Sequence, residues 1–242
     1  MSADRATYPP LDVLKPVVDD LWVVDSGPLM IARVPLPLRM TVIRVEGGML
    51  LHSPTRYVRE LHDAIAALGP IRHLVAPSFA HWMFMREWVA ACPEATTWAA
   101  PGLRERRPVR RSGLRLDRDL GEPAWSGIEQ CVIPGGGGFR EVAMLHRPSG
   151  TALLTDLVLN LEPEKLPALA RPLGRLLGVT APDGRAPVYL RAMVRVRQRE
   201  AASAVSRVLA WQPERVIFAH GRWFERDGAA ALRRSLRWLV PS

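Results

Sequence analysis

Cysteine is nearly absent from this 242-residue chain: only Cys92 and Cys131 occur, with no Cys-x-x-Cys pair. Two lone cysteines make no disulfide framework, and a reducing compartment is expected. Long apolar runs are missing as well; none reaches the length needed to span a bilayer. The opening MSADRATYPPLDVLK lacks the apolar core of a signal peptide. The expectation is a soluble, cytoplasmic protein without a membrane partner. Nucleotide loops are also missing: the four-glycine run Gly135–Gly138 has neither the Gly-x-Gly-x-x-Gly nor the P-loop spacing.

Lysine is the other scarcity. The formal net charge is +9, yet all but two of the 33 basic residues are arginine, the exceptions being Lys15 and Lys165. With abundant Ala, Pro and Gly, this bias fits a GC-rich bacterial genome. The charge is therefore discounted as a signal, and nucleic acid is the weakest partner class; a selected strand-binding surface mixes lysine, arginine and aromatics. With 48% hydrophobic residues the chain can bury a sizeable core.

Apolar patterning reads as an alternation of strands and helices. Strands are expected over Leu21–Asp25, Met40–Val45 and Met49–Ser53, the last two forming a hairpin across Gly47-Gly48. Residues 28–37 are proline-punctuated and read as an extended loop. Helical spacing over Tyr57–Leu68 is followed by a strand at Ile71–Ala76, a helix at Met83–Ala91 and a strand at Ala95–Ala100. Leu103–Asp119, with seven arginines, reads as a solvated loop, and more weakly as an anion-binding or homodimer contact. Strands follow at Ile128–Ile133, Glu141–Leu145 and Thr151–Thr155. A long arginine-rich helix over Val188–Trp211 places Arg191, Arg195 and Arg199 on one solvated face. Arg215–Ala219 is a strand and Asp227–Val240 a last helix. Such an order is that of a layered α/β protein.

One stretch organises the rest, Glu141–Asp156 (EVAMLHRPSGTALLTD). It reads as a hairpin with His146 at its turn and Asp156 at the end of its second strand. Imidazole and carboxylate are common ligands of catalytic metals. Two more strands lead to the same residue type: Ile71–Ala76 to His81, and Arg215–Ala219 to His220-Gly221. Loops at one end of a layered sheet gather functional groups. His81, His146, Asp156 and His220 are therefore the candidate ligands of one divalent metal, zinc, iron or manganese. Asp156 and His81 are also the candidate catalytic residues.

These elements resemble the metallo-β-lactamase superfamily, a four-layered αββα sandwich (α/β, with α+β character). Leu145–Gly150 is similar to its Gly-His-x-Pro-Gly turn, Thr155-Asp156 to its metal-bridging aspartate, and Ala219-His220-Gly221 to its last histidine. MTVIRVEGGMLLHSP, GPIRHLVAPSFAHW and HRPSGTALLTDL resemble a bacterial domain-of-unknown-function branch. The resemblance runs from Leu21 to Val240 and implies one domain over residues 1–242. The His-x-His-x-Asp-His motif is degenerate. Its ligand slots fall on Pro77, Phe79, His81 and Trp82, so the first metal site is dismantled and a mononuclear one is implied. His73 reads as structural, and His52 and His62 as surface or packing residues. The resemblance implies a metal-dependent hydrolase acting on a small-molecule ester, lactone, thioester or phosphoester. The alternatives are an iron-dependent oxidoreductase, or a non-catalytic sandwich that binds a ligand or partner.

Overall fold

The computed structural model describes residues 6–31 and 34–240. Among the described residues, eleven strands make two sheets. The first runs β1 (Lys15–Val18), β2 (Leu21–Ile31), β3 (Val34–Val45), β4 (Gly48–His52), β5 (Ile71–Ala76), β6 (Thr96–Ala99) and β7 (Arg118–Asp119), with neighbours in sequence order. β1 to β4 are antiparallel meanders, whereas β4 to β7 are parallel. The second sheet contains β8 (Ile128–Pro134), β9 (Arg140–His146), β10 (Thr151–Leu154) and β11 (Arg215–Phe218), in the order β11-β10-β9-β8. Within it β10 is antiparallel to β9 and parallel to β11.

Period-2 alternation gives the central strands two apolar faces, and both are buried. Leu21, Val23, Leu50 and Val75 face Val142, Met144, Leu153 and Ile217 across the space between the sheets. The alternate residues Val24, Met49, Leu51 and Leu74 pack under α1 (Arg59–Leu68) and α2 (Met85–Ala91), through Leu61, Ile65, Met85 and Trp88. On the far side, Ala143, Leu145, Ala152, Leu154 and Val216 pack under three helices. These are α5 (Val188–Arg195), α6 (Gln198–Ala210) and α7 (Gly228–Leu236), while α3 (Arg107–Ser112) adds Val109 to the core under α1 and α2, and α4 (Arg171–Leu177) packs Leu177 against a separate cluster with Leu159 and Leu161. The result is the expected αββα sandwich.

Three expectations are corrected. The proline-rich loop at 28–37 is instead a hairpin: β2 runs through Pro28 to Ile31, and β3 returns from Val34, with Met30 opposite Pro35. Residues 32–33 of that expectation lie outside the described residues. A bulge between Ser26 and Leu29 accommodates Pro28, which has no N–H for the ladder. The arginine-rich 103–119 segment contains α3 and β7. α3 is licensed by Pro108 in its first turn, buried Val109 and left-handed Gly113 at its end. The long helix over 188–211 is broken into α5 and α6 at Arg197, whose φ of −118° and ψ of 42° are not helical. The break seats Val196 on Gly136, where a Cβ would lie 2.8 Å from that valine. Arg191 and Arg195 thus belong to α5 and Arg199 to α6, so the three do not share one helical face.

His73 is structural. Its Nδ1 accepts a hydrogen bond from Trp98 Nε1 at 3.2 Å, and its ring meets those of Trp98 and Trp125 edge-on. Burial, with Arg72 and Arg118 nearby, lowers its pKa to about 4. Between pH 6.5 and about 4 the unfolded chain binds a proton that the folded one refuses, so stability falls as pH drops through that window. The urea midpoint of His73→Phe is therefore expected to fall less than that of the parent between pH 7 and 4.5. Parallel pH profiles would refute this.

Candidate metal centre

Three strand ends meet at one edge of the sandwich. β10 and β11 are parallel, so their carboxyl ends lie together and place Asp156 and His220, each two residues past its strand. The loop after β5 crosses to the second sheet at the start of β9: Val142 donates its N–H to Pro77 O, and Ser78 bridges to Glu141. That crossing delivers His81. One ligand-type atom each from His81, Asp156 and His220 lies within 4.8 Å of the others. Asp156 Oδ1 is 3.3 Å from His81 Nε2 and 3.5 Å from His220 Nε2.

The outward atoms of each ring are engaged. His220 Nδ1 donates to Pro37 O at 2.8 Å, because a carbonyl can only accept. Its Nε2 therefore turns a lone pair to the centre whenever the ring is neutral. His81 Nδ1 lies 2.6 Å from Ser53 Oγ. Ser53 is a non-glycine residue at φ +57°, a left-handed conformation that turns the chain sharply after β4. Ser78 Oγ donates to Asp156 Oδ2 at 3.1 Å, leaving Oδ1 for the histidines.

Glu141 fixes the aspartate from behind. Its fully buried carboxyl accepts the N–H groups of Thr155, Asp156 and Leu157 at 2.7, 2.9 and 3.1 Å. Burial and the nearby Asp156 raise its pKa to about 7. Burial likewise opposes ionisation of Asp156. His81 and His220 outweigh it, and the carboxyl is held well below the usual range. Asp156 in turn raises the pKa of His81 against the effect of burial. His52 is fully buried nearby; burial, then the charge on His81, lower its pKa to about 3.

His146 is not part of this group. In a hairpin, the turn and the far end of the second strand lie at opposite edges. His146 pairs with Thr151, and Asp156 lies five residues further along, about 16 Å at strand rise. Its Nδ1 contacts Ser149 Oγ at 2.7 Å, in a cleft with Asp20, Arg44 and Arg215. Burial lowers its pKa, with Asp20 opposing. The expected four-residue cluster thus becomes His81, Asp156 and His220. Pro77, Phe79 and Trp82, the other slots, are occupied structurally: Pro77 O accepts the Val142 N–H, Phe79 packs edge-on against Phe139 and under Arg106, and Trp82 donates its indole N–H to Phe79 O at 3.1 Å. Sequence reasoning passed over Glu141, Ser53 and Ser78. The available signal for Glu141 was a lone acid heading a strand otherwise wholly apolar.

The three side chains line the inner end of a cavity of about 360 Å³. Leucine and valine side chains of β3, α4 and the 159–166 segment form its walls. Arg39 also borders it, paired to Asp25 at 2.6 Å and donating to the carbonyls of Phe218 and Gly221. Gly221 has φ +93°, and a Cβ there would lie 2.3 Å from Asn160 O. The His220-Gly221 pair therefore requires glycine.

Comparison with known proteins agrees with this architecture. A metallo-β-lactamase from Hirschia baltica superposes over 95% of this chain and 98% of its own, with a TM-score of 0.63 and 13% identity. The chain has the metallo-β-lactamase fold. FIM-1 from Pseudomonas aeruginosa, solved in a mono-zinc form, aligns over 95% of this chain and 96% of its own, at TM-score 0.60 and 13% identity. Rubredoxin oxygen:oxidoreductase from Desulfovibrio gigas aligns over 91% of this chain and 60% of its own, at TM-score 0.63 and 12% identity. The model of a domain of unknown function, DUF4336, matches residues 18–104. No curated protein matches the sequence. At 12–13% identity, this is a divergent version of the metallo-β-lactamase fold.

Replacing Glu141 by alanine strands three buried N–H donors. A loss of about 3 kcal/mol or more is expected in urea unfolding, and less in Glu141→Gln, which keeps an acceptor oxygen. Equal stability of Glu141→Ala and the parent would show that the cap is dispensable.

Proposed function

We propose that this protein is a metal-dependent hydrolase with one divalent ion held by His81, Asp156 and His220. The carrying observation is the convergence of these ligand atoms within 4.8 Å at the closed end of a cavity. The donor set fits such an ion. Asp156 is ionised, His220 Nε2 is aimed inward by its bond to Pro37 O, and a second carboxyl, Glu141, stands close behind. Two histidines and one carboxylate leave coordination positions open, as catalytic sites require. A divalent ion bound there supplies Lewis acidity to a carbonyl or phosphoryl oxygen and acidifies water.

The chain's own residues supply the rest. Ser53 and Pro37 O orient the two imidazoles, Ser78 and Glu141 orient the carboxylate, and the apolar walls exclude bulk water from the reacting bond. The fold supports the class of chemistry without choosing a substrate. A second reading, an iron-dependent oxidoreductase, is favoured by the donor set itself, since two histidines and one carboxylate also suit non-haem iron. It is further supported by the structural likeness to an oxygen oxidoreductase.

Elemental analysis of untagged protein tests both readings. About one metal per chain is expected, lost in His81→Ala, Asp156→Ala and His220→Ala and retained in His146→Ala. Zinc favours the hydrolase, and tightly bound iron the oxidoreductase. Folded protein that binds no metal would overturn both and leave a ligand-binding sandwich. Ser53→Ala, which removes the partner of His81, is expected to weaken metal affinity about tenfold in a chelator competition.

A further inference from the structure

The walls of the cavity differ in kind from its inner end. Leu36, Leu159, Leu161, Leu166 and Val179 form a small apolar cluster of their own, apart from the three clusters that hold the sandwich together. Each lines the cavity. The outer lining residues Ile31, Met83, Leu173 and Tyr189 are all at least half exposed, although large apolar side chains. Exposed apolar surface gathered around a cavity mouth marks a binding site rather than a packing defect.

Polarity lies inside. The lining groups that can ionise or hydrogen-bond at depth are Arg39, Ser53, Thr55, His81, Asp156 and His220. Arg39 is already used by Asp25, Phe218 O and Gly221 O, and Ser53 by His81. Thr55 Oγ1, buried and without a hydrogen-bond partner two residues after Ser53, and the His81–Asp156–His220 end are left to meet a polar group. The walls offer branched aliphatic side chains, with few aromatic faces for a ring to stack on. Such a site, polar at one buried end and aliphatic from there to the mouth, complements a molecule of the same polarity.

We infer that the cavity takes a single aliphatic chain, its polar carboxyl-derived head at His81, Asp156 and His220 and its tail against the leucine walls. The substrate class is thus a fatty acyl compound. The position of the head rests on the metal reading above, whereas the seating of the chain does not. The apolar rim also serves entry, since a chain leaving water or a bilayer meets Met83 and Leu173 first.

Calorimetric titration of the purified protein with butyrate, hexanoate, octanoate and decanoate, with and without added zinc, separates the two. Each buried methylene is expected to tighten binding about fourfold, or about 0.8 kcal/mol. The head shifts the whole series; the chain sets its slope. A slope that persists without bound zinc upholds the chain site even where the metal reading fails. A flat series in zinc-loaded protein overturns the chain site and leaves the metal reading intact. Leu173→Asp, at a half-exposed position that folding tolerates, is expected to weaken decanoate at least tenfold and leave butyrate unchanged. Equal loss for both acids counts against the inference. Binding of 2-naphthoate as tight as that of decanoate overturns the aliphatic assignment. Co-sedimentation with phosphatidylglycerol vesicles assigns the chain to a bilayer; a steep series without co-sedimentation assigns it to dispersed acyl compounds.

Discussion

A buried carboxylate cannot stay charged unless its surroundings compensate it, and Asp156 is nine-tenths buried. Most of what is unusual at this edge of the sandwich answers that constraint. His81 and His220 approach one oxygen and Ser78 the other, while Glu141 secures the backbone on which the aspartate stands. Glu141 is itself buried and beside a like charge, which raises its pKa to about 7. Two acids this close, with imidazoles around them, form an environment built for positive charge.

The same edge is tied together by Arg39. This side chain leaves the first sheet on β3 and donates to two carbonyls at the end of β11, in the second. Its charge is neutralised by Asp25, which also pairs with Lys15 at 2.9 Å. A buried ion pair adds little net stability over apolar packing, but removing one partner leaves an uncompensated charge. The pair thus holds the two sheets in one relation beside the buried part of the cavity. The β2–β3 hairpin that carries Arg39 also supplies Leu36, Leu38 and the carbonyl of Pro37 to the cavity and to His220. Scaffold and site are joined in one element.

Strands and helices near the site were legible because burial on two faces leaves simple patterns. Ile71–Ala76 and Ile128–Ile133 read as short strands rich in branched apolar residues, and α1 by its helical spacing. The hairpin at 28–37 was not legible, because its prolines carry a strong turn signal and only pairing with the partner strand, with a bulge beside Pro28, makes them tolerable. The split of the 188–211 helix was hidden likewise, since local periodicity continues across Arg197 and the contact that requires the break comes from Gly136, some sixty residues earlier.

By itself the sequence determined the layered α/β order and four ligand-type residues at or just past strand ends: His81, His146, Asp156 and His220. It could do so because these follow from local periodicity and residue chemistry. Which of the candidates share a site was decided only by tertiary structure. Strand direction sets that choice: β10 and β11 are parallel and bring Asp156 and His220 together, while antiparallel β9 carries His146 to the opposite edge. The roles of Glu141, Ser53 and Ser78, and the aliphatic cavity itself, likewise belong to tertiary structure. They depend on segments far apart in the chain meeting in a dry interior, where an unpaired polar group is costly and an unfilled apolar space can hold a ligand.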